Sequence, residues 1–148
     1  MEDLRISKLR EYLMNIISQL KANYEQLNIN FLSNEPDNYS LDRIPVQTKV
    51  DGWIIDFVVR RDVYSFRSRM NYSADTISNI ENIGFYEKFE RIIKAKDDSN
   101  DLPDIEGIQA IRCLNAGTMR MANTNTAEFD IQIEIEYRDD GYIPMPSL

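Results

Sequence analysis

The first apolar positions of the chain, Ile6, Leu9, Leu13, Ile16, Ile17, Leu20 and Tyr24, recur at steps of three and four. That spacing puts them on one face of a helix over residues 3–24. The period then falls to two. Leu27, Ile29 and Phe31 alternate with Asn28 and Asn30, which predicts a strand with one buried face. Residues 33–40, centred on Asn34-Glu35-Pro36-Asp37-Asn38, have the chemistry of a loop, and Pro36 opposes a helix there.

Asp51-Gly52 is the dipeptide of a tight two-residue hairpin turn. It is flanked by residues 46–50 and by the arm Trp53-Ile54-Ile55-Asp56-Phe57-Val58-Val59-Arg60-Arg61. The second arm is aromatic, β-branched and nearly continuously apolar, as suits a central strand. After Asp62 the helical period returns: Phe66, Met70, Ile77 and Ile80 predict a helix ending near Asn82, with Gly84 as a break. Phe85, Phe89, Ile92 and Ile93 predict a second short helix up to Lys96, stopped by an acidic loop and Pro103.

The last third is strand-like, with one arm over residues 108–121 and another over 127–137. In the second arm Phe129, Ile131, Ile133, Ile135 and Tyr137 face one way, while Asp130, Gln132, Glu134 and Glu136 face the other. Asn115-Ala116-Gly117 interrupts the first arm and predicts a bulge or bend. Gly141-Tyr142-Ile143-Pro144-Met145-Pro146 reads as an extended apolar tail that seeks a groove or a neighbour. The order of elements predicts an α+β fold: a single, mainly antiparallel sheet of about five strands, with an N-terminal helix and one or two central helices packed on one face. Residues 1–138 read as one domain and residues 139–148 as its tail.

Composition narrows the chemistry. In 148 residues, 17 Lys and Arg face 25 Asp and Glu, a formal net charge of -8. Such a field repels phosphate and argues against a dedicated nucleic-acid or anionic-membrane binder. There is no histidine and one cysteine, Cys113. Ser-His-Asp and Cys-His nucleophiles, His-ligated metals, Cys-rich zinc sites and an intramolecular disulfide are therefore excluded. The opening Met1-Glu2-Asp3-Leu4-Arg5 lacks the character of a secretory signal. No apolar run approaches the roughly 18 residues of a membrane span, so maturation in the compartment of synthesis, without a membrane partner, is expected.

The remaining candidates are carboxylates and arginines. The acidic run from Asp97 fails the calcium-loop pattern, because Leu102 stands where a glycine is needed and Ile108 where a bidentate acid is needed. Asp56, with Asp51 or Glu134, suggests a metal-dependent carboxylate nuclease, but the lysine such sites place at short spacing is replaced by Arg60 and Arg61. Cys113 alternates with Ile111 as an inert buried thiol does. Catalytic, cofactor and metal residues are thus expected to be absent. Arg60, Arg61, Arg67 and Arg69, interleaved with Tyr64 and Phe66, form the one basic concentration. This palette serves nucleic acid or a protein interface, and the net charge favours protein contact or simple solvation over nucleic acid. With Tyr142, Ile143 and Met145 of the tail, these residues are the interface candidates.

The short N-terminal helix, the Asp-Gly hairpin, the run Val58-Val59-Arg60-Arg61-Asp62 opening a helix with Met70, Ile77 and Ile80, and the long terminal strands over residues 117–139 together resemble the tail-terminator proteins of long-tailed bacteriophages. These are often labelled minor capsid or tail-completion proteins. The resemblance covers most of the chain and rests on pattern and length. The helix-like segment 85–96 and the apolar tail depart from it. It implies a structural virion protein without enzymatic activity that needs no cofactor. Such a protein is assembled in the host bacterial cytoplasm and forms a ring, typically a hexamer of six copies, at the head-proximal end of the tail tube. Its partners would be copies of itself, the major tail tube protein and a head completion or connector protein, with DNA passing transiently through the bore. The competing readings are a monomeric adaptor or inhibitor and the carboxylate nuclease.

Overall fold

A computed structural model describes residues 4–20, 26–33, 37–45, 49–54, 57–71, 76–122 and 126–139. They form helix α1 (Arg5–Leu20), strands β1 (Gln26–Ile29), β2 (Asn38–Ile44), β3 (Lys49–Ile54) and β4 (Phe57–Asn71), helix α2 (Thr76–Asp98), and strands β5 (Ile108–Cys113), β6 (Thr118–Ala122) and β7 (Thr126–Asp139). The seven strands make one sheet in the order β1-β2-β4-β7-β5, with β3 added to β4 and β6 added to β7. Only β1 and β2 pair in parallel; every other pair is antiparallel. This is the expected α+β class, with more strands than the sequence suggests.

The axis of the sheet is the β4–β7 pair, in register from Val58↔Asp139 to Asn71↔Thr126. Alternate residues of a strand point to opposite faces. Tyr64, Phe66 and Met70 of β4 and Phe129, Ile131, Ile133 and Ile135 of β7 are buried in one core with Leu9, Leu13, Ile16 and Ile17 of α1 and Phe85, Tyr86, Phe89 and Ile93 of α2. Phe66 is the centre of this layer, its ring 4.9 Å from Phe89 and 5.7 Å from Tyr39, both stacked. Burying each such side chain contributes about 2 kcal/mol. Both helices lie on the same face, because Asp62 bonds Arg5 of α1 and Ser68, of the same parity on β4, bonds Tyr86 of α2.

Several boundaries differ from the sequence reading. Residues 62–71 continue β4 instead of opening a helix. Phe66 and Met70 are four apart, a spacing that satisfies both periods, and the alternation of buried Tyr64, Phe66, Ser68 and Met70 decides for the strand. A single helix, α2, replaces the two expected and runs through Gly84, where an added Cβ would meet nothing within 4 Å. The hairpin arms meet at Ile54↔Phe57, so Asp51-Gly52 lies inside β3. The register shifts there between Val50 and Ile54, an irregularity that glycine accommodates.

Strand β2 begins inside the segment read as loop. Its polar lettering hides it, since Asn38 and Ser40 are buried beside Tyr39 and Leu41. The interruption at residues 114–117 separates β5 from β6, both laid against β7. The tail, residues 140–148, lies outside the described residues.

Candidate functional site

Strand β4 carries the basic concentration, and its pleat divides it. Tyr64 and Phe66 point into the core, 2% and 0% exposed, so they present no surface to a partner. Arg61, Arg67 and Arg69 share the opposite parity and lie spread along the face away from the helices. Arg60 has the core-side parity and pairs with Asp139 at 2.9 Å. Tyr142, Ile143 and Met145 lie outside the described residues.

The face away from the helices is a lattice of ion pairs. Arg61 reaches Glu136 at 3.1 Å and Glu134 at 3.6 Å, and Arg112 reaches the same two carboxylates. Arg67 bridges Asp42 at 2.5 Å and Glu128 at 2.9 Å. Asp130 accepts from Arg120 at 2.9 Å and from the Ser65 hydroxyl at 2.7 Å. Arg69 donates to the Ser33 carbonyl at 2.9 Å. Burial works against the Arg67 cation, but Asp42 and Glu128 outweigh it, and its pKa is raised. The acidic stripe of β7 is therefore neutralised at contact distance, and the net charge is not displayed there.

Of the carboxylates considered for chemistry, only the side chain of Glu134 is among the described ones. Glu134 is engaged by Arg61 and Arg112, Asp56 lies outside the described residues, and no group of three His, Cys, Asp or Glu among the described residues could hold a metal ion. In the acidic run, Asp97 accepts the Ile111 N–H at 3.0 Å and Asp101 pairs with Lys96 at 3.0 Å, so these acids tie α2 to β5 and to the loop. Cys113 is half-buried in a cleft between α2 and β5, where burial, aided by Glu90, pushes its thiol up to about 12.

The sequence reading expects exposed sheet edges that lateral contact between subunits would cover, but does not say which residues form them. On one, Ile29 of β1 and Phe31 just beyond it are 39% and 61% exposed; on the other, Leu114 and Met119 at β5 and β6 are 43% and 50% exposed. The periodicity places Leu27, Ile29 and Phe31 together on a buried face, but only Leu27 is buried. Asn30 has a φ of 54°, a left-handed conformation that breaks the alternation after Ile29. Strand order alone puts β1 at one extreme and β5 and β6 at the other.

No family model matches the chain, and no curated protein matches it. Among the described residues, no helix is long and apolar enough to cross a membrane.

Proposed function

We propose that the chain is a tail terminator: a virion protein that forms a ring at the head-proximal end of a phage or phage-tail-like tube, stops tube polymerisation and joins tail to head. The observation that carries this reading is the pair of unlike sheet edges at opposite ends of the strand order, each with large exposed apolar side chains; of the resemblance, the N-terminal helix and the long terminal strands remain, while the helix expected after Asp62 is strand. An exposed edge strand is a template for pairing with another chain. When one edge of a subunit meets the other edge of the next, the contact is heterologous, and a heterologous contact whose rotation closes makes a ring. With six copies the ring carries 6 × -8 = -48 formal charges. A bore of that sign repels DNA phosphates, which suits passage of the genome without adhesion. The ion-pair lattice leaves this charge to surfaces other than the open sheet face.

The test is light scattering of the purified chain alone and with tail tube protein, followed by negative-stain imaging of the mixture. Rings seated on one end of tubes of limited length are expected. A chain that stays monomeric at high concentration and leaves tube growth unchanged would overturn the reading.

A further inference from the structure

A small cavity beside the start of α1 plays no part in the ring reading. It measures about 170 Å³ and is lined by Leu4, Arg5, Ile6, Arg43 and Tyr64. Beside it, Asp62 is fully buried and accepts four bonds: from Arg5 Nε at 2.9 Å, Tyr137 Oη at 3.2 Å, Arg43 Nη2 at 3.4 Å and Tyr64 Oη at 3.4 Å. Among the described residues, one carboxylate thus faces two guanidiniums, a local excess of positive charge in a strongly acidic chain. A guanidinium has five N–H donors, and Asp62 is the only acceptor that either arginine has among the described residues. Arg5 is also held against the Tyr137 ring, its Cζ 4.5 Å from the centroid. Both heads are therefore oriented before any ligand arrives, with donors to spare, while their side chains remain 39% and 51% exposed.

The geometry points to a binding site for a carboxylate on a short aliphatic stem, gripped by Arg43 and Arg5 and flanked by Leu4 and Ile6. A planar carboxylate matches the guanidinium fork, and a single negative charge balances the excess left by Asp62. The cavity is smaller than the roughly 300 Å³ of a site for a drug-sized ligand, which suits a small acid better than a nucleotide. The carboxylate comes either from a free small acid or from an Asp or Glu of a second copy. This inference stands apart from the ring reading.

The test uses glutarate as probe. It is titrated into dilute wild-type chain and the Arg43→Gln and Arg43→Lys variants, with arginine Nε–H resonances followed by NMR and self-association by sedimentation. A free-acid site gives saturable shifts at Arg43 and Arg5, weakened about tenfold or more in Arg43→Gln and less in Arg43→Lys, which keeps the charge but loses the fork. A site for a second copy gives self-association that glutarate competes away and that weakens about tenfold in Arg43→Gln, whereas a free-acid site gives no self-association dependent on Arg43. Leu4→Glu, at a half-exposed position, is expected to supply an internal carboxylate and block either response, which covers the case of an Arg43 variant that folds poorly. Glutarate binding and self-association that are both indifferent to Arg43→Gln and Leu4→Glu would overturn the proposal.

Discussion

Asp62, fully enclosed at the middle of β4, holds the Nε–H of Arg5 at 2.9 Å and so ties the start of α1 to the sheet. Arg43 and two tyrosine hydroxyls complete its shell. Removing the carboxylate leaves two guanidiniums facing each other without it. Asp62→Ala is expected to cost on the order of 3 kcal/mol, and Arg5→Gln less, since its partner keeps other donors and Arg5 is partly solvated. Urea unfolding of the two variants measures both.

Gly117 and Gly84 are expected to respond to alanine with opposite signs. A Cβ at Gly117 would collide with the Tyr86 ring, reaching Cβ of that residue at 2.7 Å. Tyr86 is wedged among Phe66, Phe85 and Phe129 and bonded to Ser68, so it has nowhere to go. Gly117→Ala is expected to cost about 1–3 kcal/mol. Gly84 sits inside α2 with open space around it, so Gly84→Ala is expected to stabilise by about 0.5–1 kcal/mol. Thermal melts of the pair report the difference.

Cys113 sets a pH dependence at the alkaline end. Its folded pKa is raised from 9.0 to about 12, first by burial, so the folded state keeps a proton that the unfolded state gives up. Stability contributed by this group is intact below about pH 9 and falls as pH rises from 9.0 towards 12, by at most about 1.4 kcal/mol per pH unit. Tyrosines with raised pKa add to the loss above their own ordinary range. The part due to Cys113 is the difference between wild type and Cys113→Ser, which is expected to show a shallower alkaline decline. The folded thiol is also expected to resist alkylation at neutral pH, since the thiolate is the nucleophile.

The proposed ring, closed by unlike edges, predicts an asymmetric complementation. Phe31→Asp and Met119→Asp each spoil one edge and are expected to abolish rings, while changing the stability of the subunit by no more than about 0.5 kcal/mol. Mixed in equal amounts, they still offer one intact pair of unlike edges. Analytical ultracentrifugation of the mixture should therefore show heterodimers without larger species. An isologous contact would instead leave one edge type sufficient for homodimers of a single variant.

Periodicity carries part of this protein plainly. The stripe Leu9, Leu13, Ile16 and Ile17 names the buried side of α1, and the alternation from Phe129 to Tyr137 names the core face of β7, because each pattern spans enough residues to satisfy only one period. Phe66 and Met70, at a spacing common to both periods, did not distinguish strand from helix, and β2 escaped notice because its buried residues include Asn38 and Ser40. The arginines and tyrosine singled out on one stretch of chain were legible as chemistry but not as a surface: neighbouring positions of a strand point to opposite faces.

From the sequence alone follow the α+β class, the core sides of α1 and β7, the acidic charge and the exclusion of histidine chemistry, all of which depend on local pattern or on counting. The tertiary structure decided that Arg61, Arg67 and Arg112 neutralise the acids of β7, that Arg5, Arg43 and Tyr137 meet at Asp62, and that Phe31 and Met119 lie at opposite rims. Each of these joins positions brought together only by strand pairing and helix packing, and no local period encodes a contact between residues so far apart along the chain.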